Sequence, residues 1–286
     1  MSERVAVVTD STASLSVQVA AERGITVVPL QVVVSGRSLA EGIEVTSAQI
    51  AEELRAGRPV TTSRPSPQAF VDAYRALAQD GATGVVSVHL SADLSGTVDA
   101  ARIAARQVTA DGLPVEVVDS RLLGMGLGFC ALAAAAAASR GGTAPEVART
   151  ASRQAMATGV WLYVDTLEYL RRGGRIGPAA AWLGSALAVK PLLHLVDGRL
   201  EPIERVRTAS RALARLEEIV VEAAGDDPVD VAVQHLAAPD RAEELAGRLQ
   251  GQLPGVRSVL VREVGAVVGA HAGPGLLGVV LAPASS

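Results

Sequence analysis

Cysteine is nearly absent. Cys130 is the single thiol in 286 residues, which excludes an intramolecular disulfide and any multi-cysteine metal site. Aromatic side chains are scarce too, with two Phe, three Tyr and two Trp, so the core has to be built from Ala, Val and Leu. Few rings and a formal net charge of −4 argue against nucleic acid, which requires a positive stripe and stacking platforms. Lysine occurs once, at Lys190, immediately before a proline, so no Gly-x-x-x-x-Gly-Lys-Ser/Thr phosphate loop exists. The four histidines, His89, His194, His235 and His271, show none of the close spacings of a zinc site. No Gly-x-Ser-x-Gly elbow occurs either. The longest apolar run, Leu127–Ala138, falls well short of the roughly twenty residues of a membrane span. Asp10 interrupts the first apolar stretch before it reaches signal-peptide length. These absences predict a soluble, reduced, cytoplasmic protein with no metal and no cofactor.

What is present is a folded α/β pattern. Hydrophobic residues make up 49% and charged residues 20%, a balance that buries a core. Short β-branched runs alternate with longer helical stretches, which predicts a largely parallel sheet. Strands are expected at Val5–Thr9, Val85–Leu90, Val115–Val118, Trp161–Val164, Leu192–Val196, Val229–His235, Val256–Val264 and Leu276–Leu281. Helices are expected after Ser14 or Ser16, after Thr46, Ser66–Pro67 and Thr143, over Leu122–Arg140, and over Thr208–Ala224 and Pro239–Leu249. A glycine-punctuated helix is expected to run up to Lys190–Pro191. Gly124-x-Gly126-x-Gly128 is one residue short of a dinucleotide fingerprint and reads as glycine for close helix packing. The texture changes at Gly159, which places a boundary near residue 158 and two domains at 1–158 and 159–286.

Polar chemistry collects at a few element ends. Thr61-Thr62-Ser63-Arg64-Pro65-Ser66-Pro67 puts hydroxyls ahead of a proline-started helix, where they serve as N-caps or meet an anion. Ser91–Thr97 follows a hydrophobic strand, the position where ligands sit in open α/β sheets, and Ser95-Gly96-Thr97 opens a helix. Arg207 stands at the start of a helix in the second half. His271 lies in the small-residue stretch Gly269–Gly275, read as a loop between two apolar strands. Arg171-Arg172-Gly173-Gly174-Arg175 is a basic glycine loop, with Arg171, Arg172 and Arg175 as candidates for contact with a phosphate or a partner protein. Together these describe a neutral-to-cationic polar cluster beside an aliphatic interior, which suits a ligand with an anionic end and a long apolar body.

These residues resemble the DegV family, the fatty-acid-binding subunits of bacterial fatty acid kinase. Val7-Val8-Thr9-Asp10-Ser11-Thr12 is similar to the family's opening strand and Asp-Ser loop, and Thr62-Ser63-Arg64-Pro65 to its Thr-Ser-Gln-Pro. His89–Thr97 resembles its Ser-x-x-Leu-Ser-Gly-Thr segment. Arg172–Ile176, Lys190-Pro191, Val206-Arg207-Thr208 and His271–Gly275 follow in the family's order. The resemblance implies two α/β domains, an N-terminal Rossmann-like parallel sheet and a C-terminal mixed-sheet α/β domain. It also implies a bound long-chain fatty acid whose carboxylate meets Thr62, Ser95 and Gly96, with Arg207 and His271 close by. The implied partners are a kinase catalytic subunit that brings ATP and makes the acyl phosphate, and a lipid-synthesis enzyme that uses it. Arg64 stands where the family has glutamine.

The energetics agree with a carrier. Burying an acyl chain gains roughly 0.8 kcal/mol per methylene, on the order of 10 kcal/mol gross for about sixteen carbons, before association costs. Two hydroxyl hydrogen bonds supply about 1 kcal/mol each. The apolar interior is therefore expected to set affinity and the polar cluster to set orientation. A carboxylate surrounded by hydroxyls and beside Arg207, with His271 adding charge if its ring is protonated, should stay ionised. The alternative is a stand-alone hydrolase or phosphotransferase using Ser95 with His271. A third reading makes Arg171–Arg175 the docking loop of a regulatory protein.

Overall fold

The computed structural model describes residues 4–182 and 189–284. Contacts divide it into two compact units, one holding the chain up to Gln31 and Ser63–Ala157, the other Val32–Thr62 and the chain from Thr158 onward. In chain order, the first unit opens with β1 (Val5–Asp10), α1 (Val17–Glu22) and β2 (Ile25–Val28). An excursion follows: β3 (Gln31–Val34), β4 (Arg37–Ala40), α2 (Ser47–Arg55) and β5 (Val60–Ser63), in which the three strands form a small sheet. The first unit then resumes with α3 (Pro67–Gln79), β6 (Gly84–His89), α4 (Thr97–Ala110), β7 (Val115–Asp119), α5 (Met125–Ser139) and α6 (Ala144–Met156).

The sheet of the first unit has the order β2-β1-β6-β7 with every pair parallel. Every residue of β6 is buried, as expected of a central parallel strand covered on both faces. Ser16, Thr46 and Ser66 cap α1, α2 and α3 through their side-chain oxygens, which is why those helices begin where the sequence predicts. Phe70 and Tyr74 lie four apart on α3 and are fully buried against β6 and α4 residues. Helix α5 is apolar on all sides. A Cβ at Gly128 would stand 2.6 Å from the Ala13 carbonyl oxygen, so this glycine serves close packing, as read from the sequence.

The second unit is built on a six-stranded mixed sheet. Its strands are β8 (Gly159–Tyr163), β9 (Lys190–Val196), β10 (Arg199–Val206), β11 (Val229–His235), β12 (Val256–Glu263) and β13 (Leu277–Pro283). The order is β10-β9-β8-β13-β11-β12, antiparallel except for the β11–β12 pair. Helices α7 (Glu168–Arg172), α8 (Ala209–Ala224), α9 (Pro239–Gln252) and α10 (Ala266–Ala272) connect them. Leu216, Val220, Leu245 and Leu249 of α8 and α9 cover Tyr163, Val231 and Val279 of the sheet.

Several sequence expectations are corrected. The segment Val32–Thr62 belongs to the second unit, not to an N-terminal domain of residues 1–158. Its contacts explain why: the Ser47 hydroxyl donates to the Val264 carbonyl at 2.7 Å, and the Glu41 carboxyl accepts from Val267 N–H at 2.7 Å. Lys190 and Pro191 begin β9 and end no helix. The rest of the helix expected before them falls over 183–188, outside the described residues, and its beginning, Gly177–Trp182, is a 3-10 helix. Strand β10 and helices α7 and α10 lie where connecting chain was expected.

Candidate functional site

His271 sits in the last turn of α10, not in a loop. Its Nε2 shares a hydrogen bond of 2.7 Å with Thr62 Oγ1 at the end of β5, so two candidates 209 residues apart in the chain meet within one unit. Burial, with the Arg175 cation adding to it, lowers the imidazole pKa to about 4. The ring is therefore neutral at physiological pH and adds no positive charge beside Thr62. Its Nδ1 is buried without a hydrogen-bond partner, and a Cβ on Gly173 would lie 2.0 Å from that atom. A buried N–H left without an acceptor costs more than a lone pair left without a donor. We therefore assign the proton to Nε2, which donates to Thr62 Oγ1. The Thr62 hydroxyl hydrogen is then free for an acceptor.

Ser95 belongs to the first unit, in the turn between β6 and α4. Its hydroxyl shares a 2.9 Å hydrogen bond with Thr97 Oγ1, and its backbone N–H donates to the Ser91 carbonyl. Gly96 is the N-cap of α4 and provides no side-chain cap. Arg64 occupies the space a side chain there would take, since a Cβ on Gly96 would lie 2.1 Å from its Nη1. The arginine that departs from the family pattern thus lies against a residue of the Ser-Gly-Thr segment.

The remaining candidates divide by charge pairing. Arg171 and Arg172 both bind Glu168 across one turn of α7, at 2.6 and 2.8 Å, and these bonds bring the Glu168 pKa down to about 2. Arg175 donates to the Gly173 carbonyl at 2.6 Å and faces His271. The first two residues of the basic glycine loop, Arg171 and Arg172, thus end a short helix with its own counter-charge, and Gly173 and Gly174 form the turn after it. Arg207 is exposed, just ahead of α8, whose N-cap is Thr208. Cys130 is buried, its pKa pushed up to about 12 by that burial, so its thiol is chemically quiet.

A buried polar chain in the first unit has no counterpart in the sequence reading. Tyr74 donates to Ser87 Oγ at 2.8 Å, Ser87 Oγ lies 2.7 Å from His89 Nε2, and His89 Nδ1 lies 2.9 Å from Asp10 Oδ2. Asp10 also accepts from Leu90 N–H and from the Thr12 N–H and hydroxyl. With Tyr74 donating into Ser87, the serine proton points to Nε2 and Nδ1–H points to Asp10. The connectivity is that of a hydrolase triad, yet Asp10, Ser87 and His89 are all 0% exposed. Its effect is to tie the ends of β1 and β6 together beneath the Ser91–Thr97 turn. The period-2 spacing of Ser87 and His89 on one strand was the available signal. Among the described residues no group of three or more His, Cys, Asp or Glu could hold a metal, and no helix is long and apolar enough to cross a membrane.

A parallel α/β unit followed by a mixed-sheet unit, with a hydroxyl–imidazole pair in the second, defines a two-unit α/β protein. The chain belongs to the DegV family: residues 4–284 match its model, described as an uncharacterised protein of the DegV family. A DegV domain-containing protein of Streptomyces coelicolor is 58% identical over 281 residues, covering 98% of this chain and 99% of that protein. One from Mycobacterium tuberculosis is 40% identical over 276 residues, or 96% of both. Among solved structures, a fatty-acid-binding DegV family protein from Thermus thermophilus has a TM-score of 0.92 at 34% identity, covering 98% of this chain and all of that one. DegV from Bacillus subtilis, a fatty acid binding protein, has a TM-score of 0.90 at 32% identity, with 99% and 100% covered.

Proposed function

We propose that this protein is a cytoplasmic fatty-acid carrier that buries a long acyl chain and presents its carboxylate to a partner kinase. The kinase catalytic subunit, with its own ATP, phosphorylates the carboxylate to an acyl phosphate, and a lipid-synthesis enzyme takes it onward. This chain supplies binding and orientation and no catalytic group. The observation that carries the reading is the 2.7 Å hydrogen bond between Thr62 Oγ1 and His271 Nε2, in which we assign the neutral ring as the donor. A relay of that kind offers a carboxylate oxygen a directed hydroxyl hydrogen without neutralising it, so the oxygen stays nucleophilic toward a phosphoryl group. The fatty-acid-binding relatives with solved structures support the ligand class.

In this proposal Thr62, Ser95 and Gly96 contact the carboxylate, His271 orients Thr62, and the exposed Arg207 receives the added charge of the acyl phosphate. Arg171, Arg172 and Arg175 are proposed as partner contacts. The stand-alone hydrolase reading is weaker, because His271 Nε2 is committed to Thr62 and Ser95 Oγ to Thr97. Neither has a carboxylate to orient it as a nucleophile–base pair requires. Native mass spectrometry of the protein purified from cells tests the carrier directly. A bound mass of a long-chain fatty acid is expected; ligand-free protein that stays ligand-free after incubation with fatty acids overturns the reading.

A further inference from the structure

Helix α10 is only seven residues long, begins after Gly265, and has no N-cap side chain of its own. A helix that short is not stable by itself, yet it carries the histidine on which the proposed relay depends. Its first-turn donor, Val267 N–H, is taken by the Glu41 carboxyl at 2.7 Å, from a residue 226 positions earlier in the chain. Glu41 is itself 5% exposed. At the other end of the same helix, Thr62 holds His271. Just ahead of the helix, the Ser47 hydroxyl donates to the carbonyl of Val264. The excursion Val32–Thr62 therefore grips α10 before its start, in its first turn and in its last.

We propose that Glu41 is a positioning residue: it fixes the first turn of α10 and thereby sets the His271 imidazole on Thr62. Its consequence for ligand binding rests on the carrier reading; the positioning of His271 does not. Gly265 gives a second handle on the same contact. Its backbone is unstrained for alanine, at φ −64° and ψ 165°, but a Cβ there would stand 2.3 Å from Glu41 Oε1. Gly265→Ala thus leaves Glu41 in the chain while pushing its carboxyl off Val267. Glu41→Gln keeps an acceptor oxygen in place.

The test is the titration of the His271 ring in the full-length protein, followed by NMR and assigned by its absence in His271→Ala. The charged group facing the ring is Arg175, untouched in every variant. In the native protein the midpoint lies near 4. Glu41→Ala and Gly265→Ala are expected to raise it by about one pH unit or more as the ring regains water, and Glu41→Gln is expected to stay near the native value. Palmitate affinity should fall about tenfold in the two alanine variants, the loss expected of one charge-assisted hydrogen bond, and should not change further when His271→Ala is already present. An unchanged midpoint in folded Glu41→Ala overturns the proposal; if that variant does not fold, an unchanged midpoint in Gly265→Ala does so. Native protein that binds no palmitate instead sinks the carrier reading, and the midpoints still decide the role of Glu41.

Discussion

His271 shows how one side chain changes character with its surroundings. Its folded pKa of about 4 lies below the ordinary 6.5 because burial disfavours the charged ring. Between those values the unfolded chain binds the proton and the folded chain does not, so stability falls as pH drops through this window and levels off below about 4. The loss from this one group is on the order of 3 kcal/mol, and His194 and His235, also lowered by burial, act in the same direction. Urea melts at stepped pH should show stability declining below about 6.5, with a shallower decline in His271→Gln. An identical decline in that variant would mean the ring is not what titrates. Gly173 and Gly96 make a second comparison, since both have ordinary helical φ values of −75° and −74°. A methyl group on Gly173 meets the enclosed imidazole and must displace it, at about 1–3 kcal/mol. The nearest atoms to a methyl group on Gly96 belong to the exposed Arg64 side chain, which can swing away at under about 0.5 kcal/mol. Urea midpoints of Gly173→Ala and Gly96→Ala should therefore separate widely; equal midpoints would contradict the packing at Gly173.

Among the elements, α5 shows packing overriding propensity. Alanine favours a helix over glycine by about 1 kcal/mol, so Gly128→Ala would stabilise an isolated α5. Here the new methyl group meets the Ala13 carbonyl oxygen at 2.6 Å, and backbone cannot step aside as a side chain can. The variant is expected to lose about 1–3 kcal/mol in chemical denaturation, and a gain would show that the α5 contact is loose. The same balance of local and distant causes decides which elements the sequence revealed. Strands β1, β6, β11 and β13 are apolar runs of the right length, and α1, α2 and α3 carry their own capping serines and threonines, so each is legible from neighbours in the chain. Strand β10, Arg-Leu-Glu-Pro-Ile-Glu-Arg-Val, is charged and contains Pro202, and among the described residues it pairs only with β9. It is an edge strand, and its composition reads as a loop. Helix α10 has too few turns to show a 3.6-residue period, and its cap, Glu41, is absent from its local sequence. That omission also misplaced His271, because the pairing with Thr62 depends on the helix.

At the scale of the whole molecule, the change of texture at Gly159 was visible, but the path of the chain was not. Nothing local to Val32–Thr62 says that it leaves the unit in which the chain begins. Its contribution to the second unit combines the packing of α2 on α10, with Ile50 and Leu54 buried, and polar contacts from Ser47, Glu41 and Thr62, each made with a residue more than two hundred positions away. The family resemblance supplied Thr62 and His271 as site residues without the helix, the tautomer or the carboxyl that together define their geometry. The excursion is therefore expected to be part of the folding unit and not an insertion into it. Residues 158–286 expressed alone keep every strand of the mixed sheet but lose α2 and all three anchors of α10. In hydrogen exchange, the α10 amides of this fragment, Val267 foremost, should exchange as in an unfolded segment, while those of β11 and β13 keep whatever protection the sheet retains. Supplying residues 32–62 as a peptide should restore protection to α10 specifically. Protected α10 amides in the bare fragment would show that the helix is held by the mixed-sheet unit itself, and the division of labour between Glu41 and Thr62 would then have to be abandoned.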